Sequence, residues 1–160
     1  IARAQLAVAR DPAAGVDLEG LIAEELLAHA AMPGERMSLS GPAVALRAEA
    51  AGLLGLALHE LVANAVKYGA LSAPEGWVDV SWRVEGAWAG KALRFEWREG
   101  GTPPARTPPG RRGFGTRLIE RSFAAEVGGE VRMTFAPTGL VCRLEAPLAS
   151  MQEQSDAAAA

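Results

Sequence analysis

Four polar residues, Glu60, Asn64, Lys67 and Tyr68, stand inside a stretch (residues 56–71, LALHELVANAVKYGAL) that otherwise reads as the core of a helix. At about 100° per residue they share one arc, while Leu54, Leu58, Leu61, Val62, Ala65 and Val66 share the opposite arc. A solvated face usually carries several long charged side chains. This one offers one acid, one amide, one lysine and one tyrosine beside the small Ala57 and Ala63, which is how a lined pocket is composed. The set suits a metal-bound polyphosphate: an amide oxygen is a hard ligand for magnesium, a lysine neutralises phosphate charge, and a glutamate orients water or a nucleophile. His59 falls about 100° from Glu60, at the border with Val66, and with Glu60 forms the candidate catalytic pair.

Two further stretches add to this chemistry. Gly113-Phe114-Gly115-Thr116 opens a late helix, where free N–H groups and the positive end of the helix dipole favour phosphate and glycine permits close approach. Arg106, Arg111 and Arg112 precede it in a loop, placed either to solubilise that loop or to cover bound phosphate. Trp97-Arg98-Glu99 ends a strand and leads into Gly100-Gly101. Trp97 lies on the apolar phase of that strand and reads as core. A carboxylate at a strand end, with glycines that let a flat ring lie close, can accept a proton from the exocyclic amine of adenine.

These groups need elements to hold them. Residues 1–10 (IARAQLAVAR) read as the end of a helix, broken by Asp11-Pro12 and Gly15. Asp17 caps a helix predicted to reach Ala31, and Met37 with Leu39, then Val44 with Leu46, alternate as short strands. The long helix runs from about Ala48 to Tyr68, with Gly69 as its expected cap. Val78, Val80, Trp82 and Val84 form one period-two set and Leu93, Phe95 and Trp97 another, which makes a hairpin. Residues 100–112 read as a loop rich in glycine, proline, threonine and arginine. A helix from Thr116 to Val127 and a second hairpin around Pro137-Thr138-Gly139 follow. Helices and hairpins in this order predict an α+β fold, a two-layer sandwich of a mixed sheet covered on one face by helices. The expected division is a helix end and linker over 1–15, one domain over 16–148 and a flexible tail over 149–160.

Composition limits the function classes. At 160 residues, 49% hydrophobic and 22% charged, the chain suits one domain with a real core. A net charge of −3 excludes the basic footprint of a nucleic-acid binder, so no nucleic-acid partner is expected and any bound anion must be met locally. The single cysteine, Cys142, rules out an internal disulfide and sits in an alternating apolar stretch, where it reads as packing. The longest apolar run, Ala50 to Leu58, is short of the roughly 20 residues of a membrane span, and a reducing, cytoplasmic setting is expected.

Taken together, the segments resemble the ATP-binding domain of sensor histidine kinases, specifically the HWE family, named for a histidine and a Trp-x-Glu motif, here His59 and Trp97-Arg98-Glu99. HELVANAVKYGALS resembles that family's N box, WREGG its first glycine box and GFGTRLIE its second, in the expected order. The sequence departs from the family pattern where Gly100-Gly101-Thr102-Pro103 follows the acid directly, and where the lid is short and carries no separate phenylalanine box. The resemblance implies the Bergerat sandwich, with ATP and Mg2+ as cofactors. Asn64 would coordinate magnesium, Lys67 and Tyr68 would approach phosphate, Glu99 with Gly101 would meet adenine, and Arg112, Gly113, Gly115 and Thr116 would hold the phosphate end. Glu60 would polarise the incoming histidine. The implied partners are a dimerisation hairpin carrying the acceptor histidine, expected outside this chain, a response regulator, and a second copy in a homodimeric parent. His29 matches no acceptor motif and is expected to be a surface or packing residue. The rival reading is a degenerate kinase-like scaffold, against which Asn64, Lys67 and both glycine boxes stand intact.

Overall fold

The structure is a computed structural model and describes residues 15–29, 36–87, 90–101 and 114–152. Within them the period-two runs become strands with unlike faces. A short pair, β1 (Val16–Asp17) and β3 (Ala45–Leu46), is antiparallel. The main sheet holds β2 (Met37–Ser40), β4 (Trp77–Glu85), β5 (Ala92–Gly100), β6 (Glu130–Ala136) and β7 (Gly139–Pro147), in the order β2-β4-β5-β7-β6. β2 runs parallel to β4 and every other pairing is antiparallel, so the sheet is mixed. The register sets Val80, Trp97, Cys142 and Met133 in one row across four strands, and Trp82, Phe95, Leu144 and Val131 in the next. Because side chains alternate along a strand, these rows share the inner face.

Helices close that face. α1 (Leu18–Ala28) starts where the Asp17 carboxylate accepts the Gly20 N–H at 2.9 Å, and it buries Leu18, Ile22 and Leu26, one residue per turn. α2 (Ala48–Lys67) buries Leu54, Leu58, Leu61, Val62 and Ala65. α3 (Phe114–Val127) buries Ile119, Phe123 and Val127 with the same four-residue step. Two layers with helices on one side is the predicted α+β arrangement. The outer face carries an ion-pair lattice in which Glu96 meets Arg143 at 2.8 Å, and Arg94 meets Glu85 at 3.2 Å and Glu145 at 3.4 Å. Such exposed pairs contribute at most about 1 kcal/mol each, so the inner face carries the stability.

Several boundaries differ from the sequence reading. α1 ends at Ala28, not Ala31, and α3 begins at Phe114, two residues before Thr116. Val66, expected on the apolar arc, is exposed, because the sheet meets the neighbouring side of α2. Tyr68 takes the cap position; Gly69 has φ −99°, so it is not the left-handed cap that glycine usually supplies. Structure continues at residue 148, one residue before the expected start of the tail. A short helix, α4 (Leu148–Met151), buries Met151 in the core, and Arg47 donates its N–H to the Met151 carbonyl at 2.8 Å and its Nε–H to that of Ser150 at 2.7 Å. The apolar side chain and two hydrogen bonds dock the first part of the expected tail. α2 with the turn after it is long and apolar enough to cross a membrane, yet its apolar arc packs into this core. The readings made for residues 1–14, for the loop arginines and for residues 153–160 lie outside the described residues.

Candidate functional site

The site is built at the C-terminal end of α2. The Asn64 carbonyl accepts the Tyr68 N–H at 2.8 Å and the Gly69 N–H at 2.9 Å, which ends the helix one turn after the Asn64 side chain. The chain then makes a tight turn over Ala70–Ser72. Arg36, just before β2, holds the far side of that turn: its Nε–H donates to the Gly76 carbonyl at 2.8 Å, and Nη2 donates to the carbonyls of Ala70, at 3.2 Å, and Ala73. One guanidinium thereby satisfies three carbonyls that no ladder pairs.

Glu99 continues the inward alternation of Leu93, Phe95 and Trp97, so β5 delivers a carboxylate where the pattern would place an apolar side chain. It is the buried charged residue among those described, 6% exposed. Its Oε1 accepts the Ala70 N–H at 3.1 Å. Burial pushes the Glu99 carboxyl above the usual range; the Ala70 N–H pulls against that, and so does the Trp97 indole N–H. The approach is possible because residue 69 is glycine: a Cβ there would overlap Glu99 Oε1 and the Ala65 backbone. Trp97 is fully buried, as its phase in the strand predicts.

The glycines after Glu99 have separate tasks. Gly100 lies under the Trp77 ring, and Gly101 has φ +74° and would press a side chain onto the Glu75 carbonyl, so both its backbone and its surroundings require glycine. Glu60 and Asn64 are half-buried, while Lys67 and Tyr68 are exposed at the helix end. Glu99 thus meets the end of α2 that carries Asn64, Lys67 and Tyr68, while Gly101 lies against Glu75 and Trp77. Gly115 and Thr116 lie in the first turn of α3; Arg112 and Gly113 fall outside the described residues. His59 turns elsewhere, toward Glu25 and His29 of the α1 region. A hollow of about 380 Å³ lined by Gly90, Lys91, Gly128 and Glu130 sits at the opposite end of β5 from Glu99 and does not involve these groups.

The donor set fits a magnesium nucleotide. A buried carboxylate suits the amine edge of a purine, and an amide one helical turn from a lysine suits a metal-bridged phosphate.

No family model matches the chain. It is 39% identical over 115 residues to the blue-light-activated histidine kinase of Brucella anthropi, which covers 72% of this chain and 23% of that protein. To the protein of the same name from Brucella ovis it is 33% identical over 135 residues, covering 84% of this chain and 27% of that one. The chain therefore spans about a quarter of the length of the curated relatives it matches. Among solved structures, the histidine kinase domain of the Erythrobacter litoralis EL346 blue-light activated histidine kinase aligns with a TM-score of 0.59 at 22% identity, over 82% of this chain and 59% of that one. The catalytic domain of the histidine kinase ThkA aligns with a TM-score of 0.59 at 16% identity, over 86% and 96%. Full-length ShkA in complex with AMPPNP aligns with a TM-score of 0.56 at 24% identity, over 84% and 30%. The fold is that of histidine kinase catalytic domains, a mixed five-stranded sheet backed by helices. The sequence matches go further: over 72% and 84% of its own length the chain is similar to blue-light-activated histidine kinases.

Proposed function

We propose that this chain is the catalytic ATP-binding domain of a two-component sensor histidine kinase, and that it presents Mg-ATP to a histidine on a dimerisation hairpin outside the chain. The observation that carries this reading is the Glu99 carboxylate, buried and held by the Ala70 N–H, three residues beyond Lys67 and six beyond Asn64. Glu99 accepts from the adenine amine, with Gly101 turning the chain clear of the ring. The Asn64 amide oxygen holds magnesium; Lys67 and Tyr68 face the phosphates from the end of α2, and Gly115 and Thr116 meet them from the first turn of α3, with Arg112 and Gly113 of the preceding sequence assigned to the same phosphates by the motif alone. Bound Mg-ATP supplies the γ-phosphoryl group and the charge neutralisation its transfer requires. Glu60, half-buried one turn before Asn64, polarises the incoming imidazole. His59, engaged with the α1 region, supports that turn of α2 without touching the nucleotide.

The aligned structures of ShkA with AMPPNP and of ThkA with the response regulator TrrA support nucleotide and response-regulator partners for the parent protein. The reading places the parent in the cytoplasm as a homodimer. It is tested by calorimetric titration with a non-hydrolysable ATP analogue, with and without magnesium, beside Asn64→Ala. Micromolar, magnesium-dependent binding that the variant loses is expected; absence of binding in the parent chain overturns it.

A further inference from the structure

Glu25, His29 and His59 bring one ligand atom each to within 4.8 Å of one another, outside the nucleotide site. Glu25 and His29 are four residues apart, so they rise from the same face of the α1 end, and His59 comes across from α2. His59 Nδ1 lies 3.4 Å from Glu25 Oε2, and the two imidazole rings meet edge to face with centroids 4.8 Å apart.

A second observation concerns orientation. His29 Nδ1 is 3.1 Å from the Glu25 backbone carbonyl, an acceptor, so in the neutral ring that nitrogen is the donor and Nε2 is the one that can ligate. A ring N–H bonded to a backbone carbonyl is the arrangement that fixes metal-ligating histidines. Ligand atoms around tetrahedral zinc, bonded at about 2.0–2.2 Å, stand about 3.3 Å apart, within about 1.5 Å of the widest spacing in the cluster. Glu25 is largely covered, with 25% of its side chain exposed, whereas His59 at 56% leaves the cluster open to an ion from solvent.

We propose that Glu25, His29 and His59 form a site for a divalent transition-metal ion of the zinc class, distinct from the magnesium of the nucleotide reading. Two imidazoles and one carboxylate select zinc over magnesium, which prefers oxygen and retains its waters. Three protein ligands leave a fourth position for water or an outside group. An ion bound here ties α1 to the turn of α2 that carries Glu60. The site depends only on contacts between the α1 end and α2, so it stands or falls separately from nucleotide binding.

The test uses the full untagged chain, stripped with chelator. Co2+ is titrated by visible absorption, with Zn2+ as competitor, and Zn2+ is followed by the shift in Tm. One equivalent of Co2+ giving a four-coordinate spectrum, displaced by Zn2+ and not by excess Mg2+, is expected, with a rise in Tm on adding Zn2+. His29→Ala and His59→Gln, each checked for native circular dichroism, should weaken binding at least tenfold. Binding that survives both substitutions, or no stoichiometric binding by a folded parent chain, overturns the proposal.

Discussion

The Glu99 carboxylate lies directly against Gly69, in space that any side-chain carbon at residue 69 would have to enter. The contact joins the strand motif to the helix motif, and it explains a glycine whose own backbone, at φ −99°, does not demand one.

Gly69→Ala should therefore destabilise the chain by about 1–3 kcal/mol, the usual cost of overpacking. Urea midpoints measure it. The loss should be smaller in a Glu99→Ala background, by about 0.5–3 kcal/mol of coupling, and strictly additive losses would show that the two residues do not share this space.

Glu99 also gives stability a pH dependence. Its folded-state pKa is raised above the ordinary glutamate value of 4.5, so between these two values the folded chain holds more protons than the unfolded one, and stability falls as pH rises through that window. Glu99→Gln is neutral throughout. The Tm of the variant minus that of the parent should grow as pH rises above about 4.5 and level off once the folded carboxyl is ionised; a flat difference would contradict the assignment.

Arg36→Ala removes donors to three carbonyls of the turn that follows α2. Bonds to a charged donor are worth about 1.5–3 kcal/mol where desolvated, and this side chain is partly exposed, so a global loss of about 1–2 kcal/mol is expected. Amide exchange over residues 70–76 should accelerate more than exchange in the central strands.

Burial, aided by the charges of Glu120 and Glu99, pushes the Cys142 thiol up to about 12. A thiol-specific reagent at pH 8 should leave the folded chain unlabelled and label it fully in denaturant. Rapid labelling of the folded chain would place Cys142 at the surface.

Asp17→Ala removes the carboxylate that accepts the Gly20 N–H and should cost about 1 kcal/mol, read from thermal unfolding.

The local patterns settled most of the secondary structure from the residues alone. Alternation in 77–85 and 92–100 named both strands and the inward phase of Trp97, and the helical period assigned Leu54, Leu58, Leu61 and Val62 to the core. These are properties of one element at a time, because a side chain's face follows from its position in the repeat. The order of the N box and the two glycine boxes likewise carried the kinase resemblance. What required the tertiary structure was every relationship between segments distant in the chain. Only the packing of β5 beneath the end of α2 joined Glu99 to Ala70 and made Gly69 a steric necessity in place of a left-handed cap. Only docking against Arg47 set Met151, in the expected tail, into the core. His29 and Glu25 show the same limit: nothing in their own helix marks them as ligands, and His59 gives them that character by arriving from α2, 30 residues after His29 along the chain.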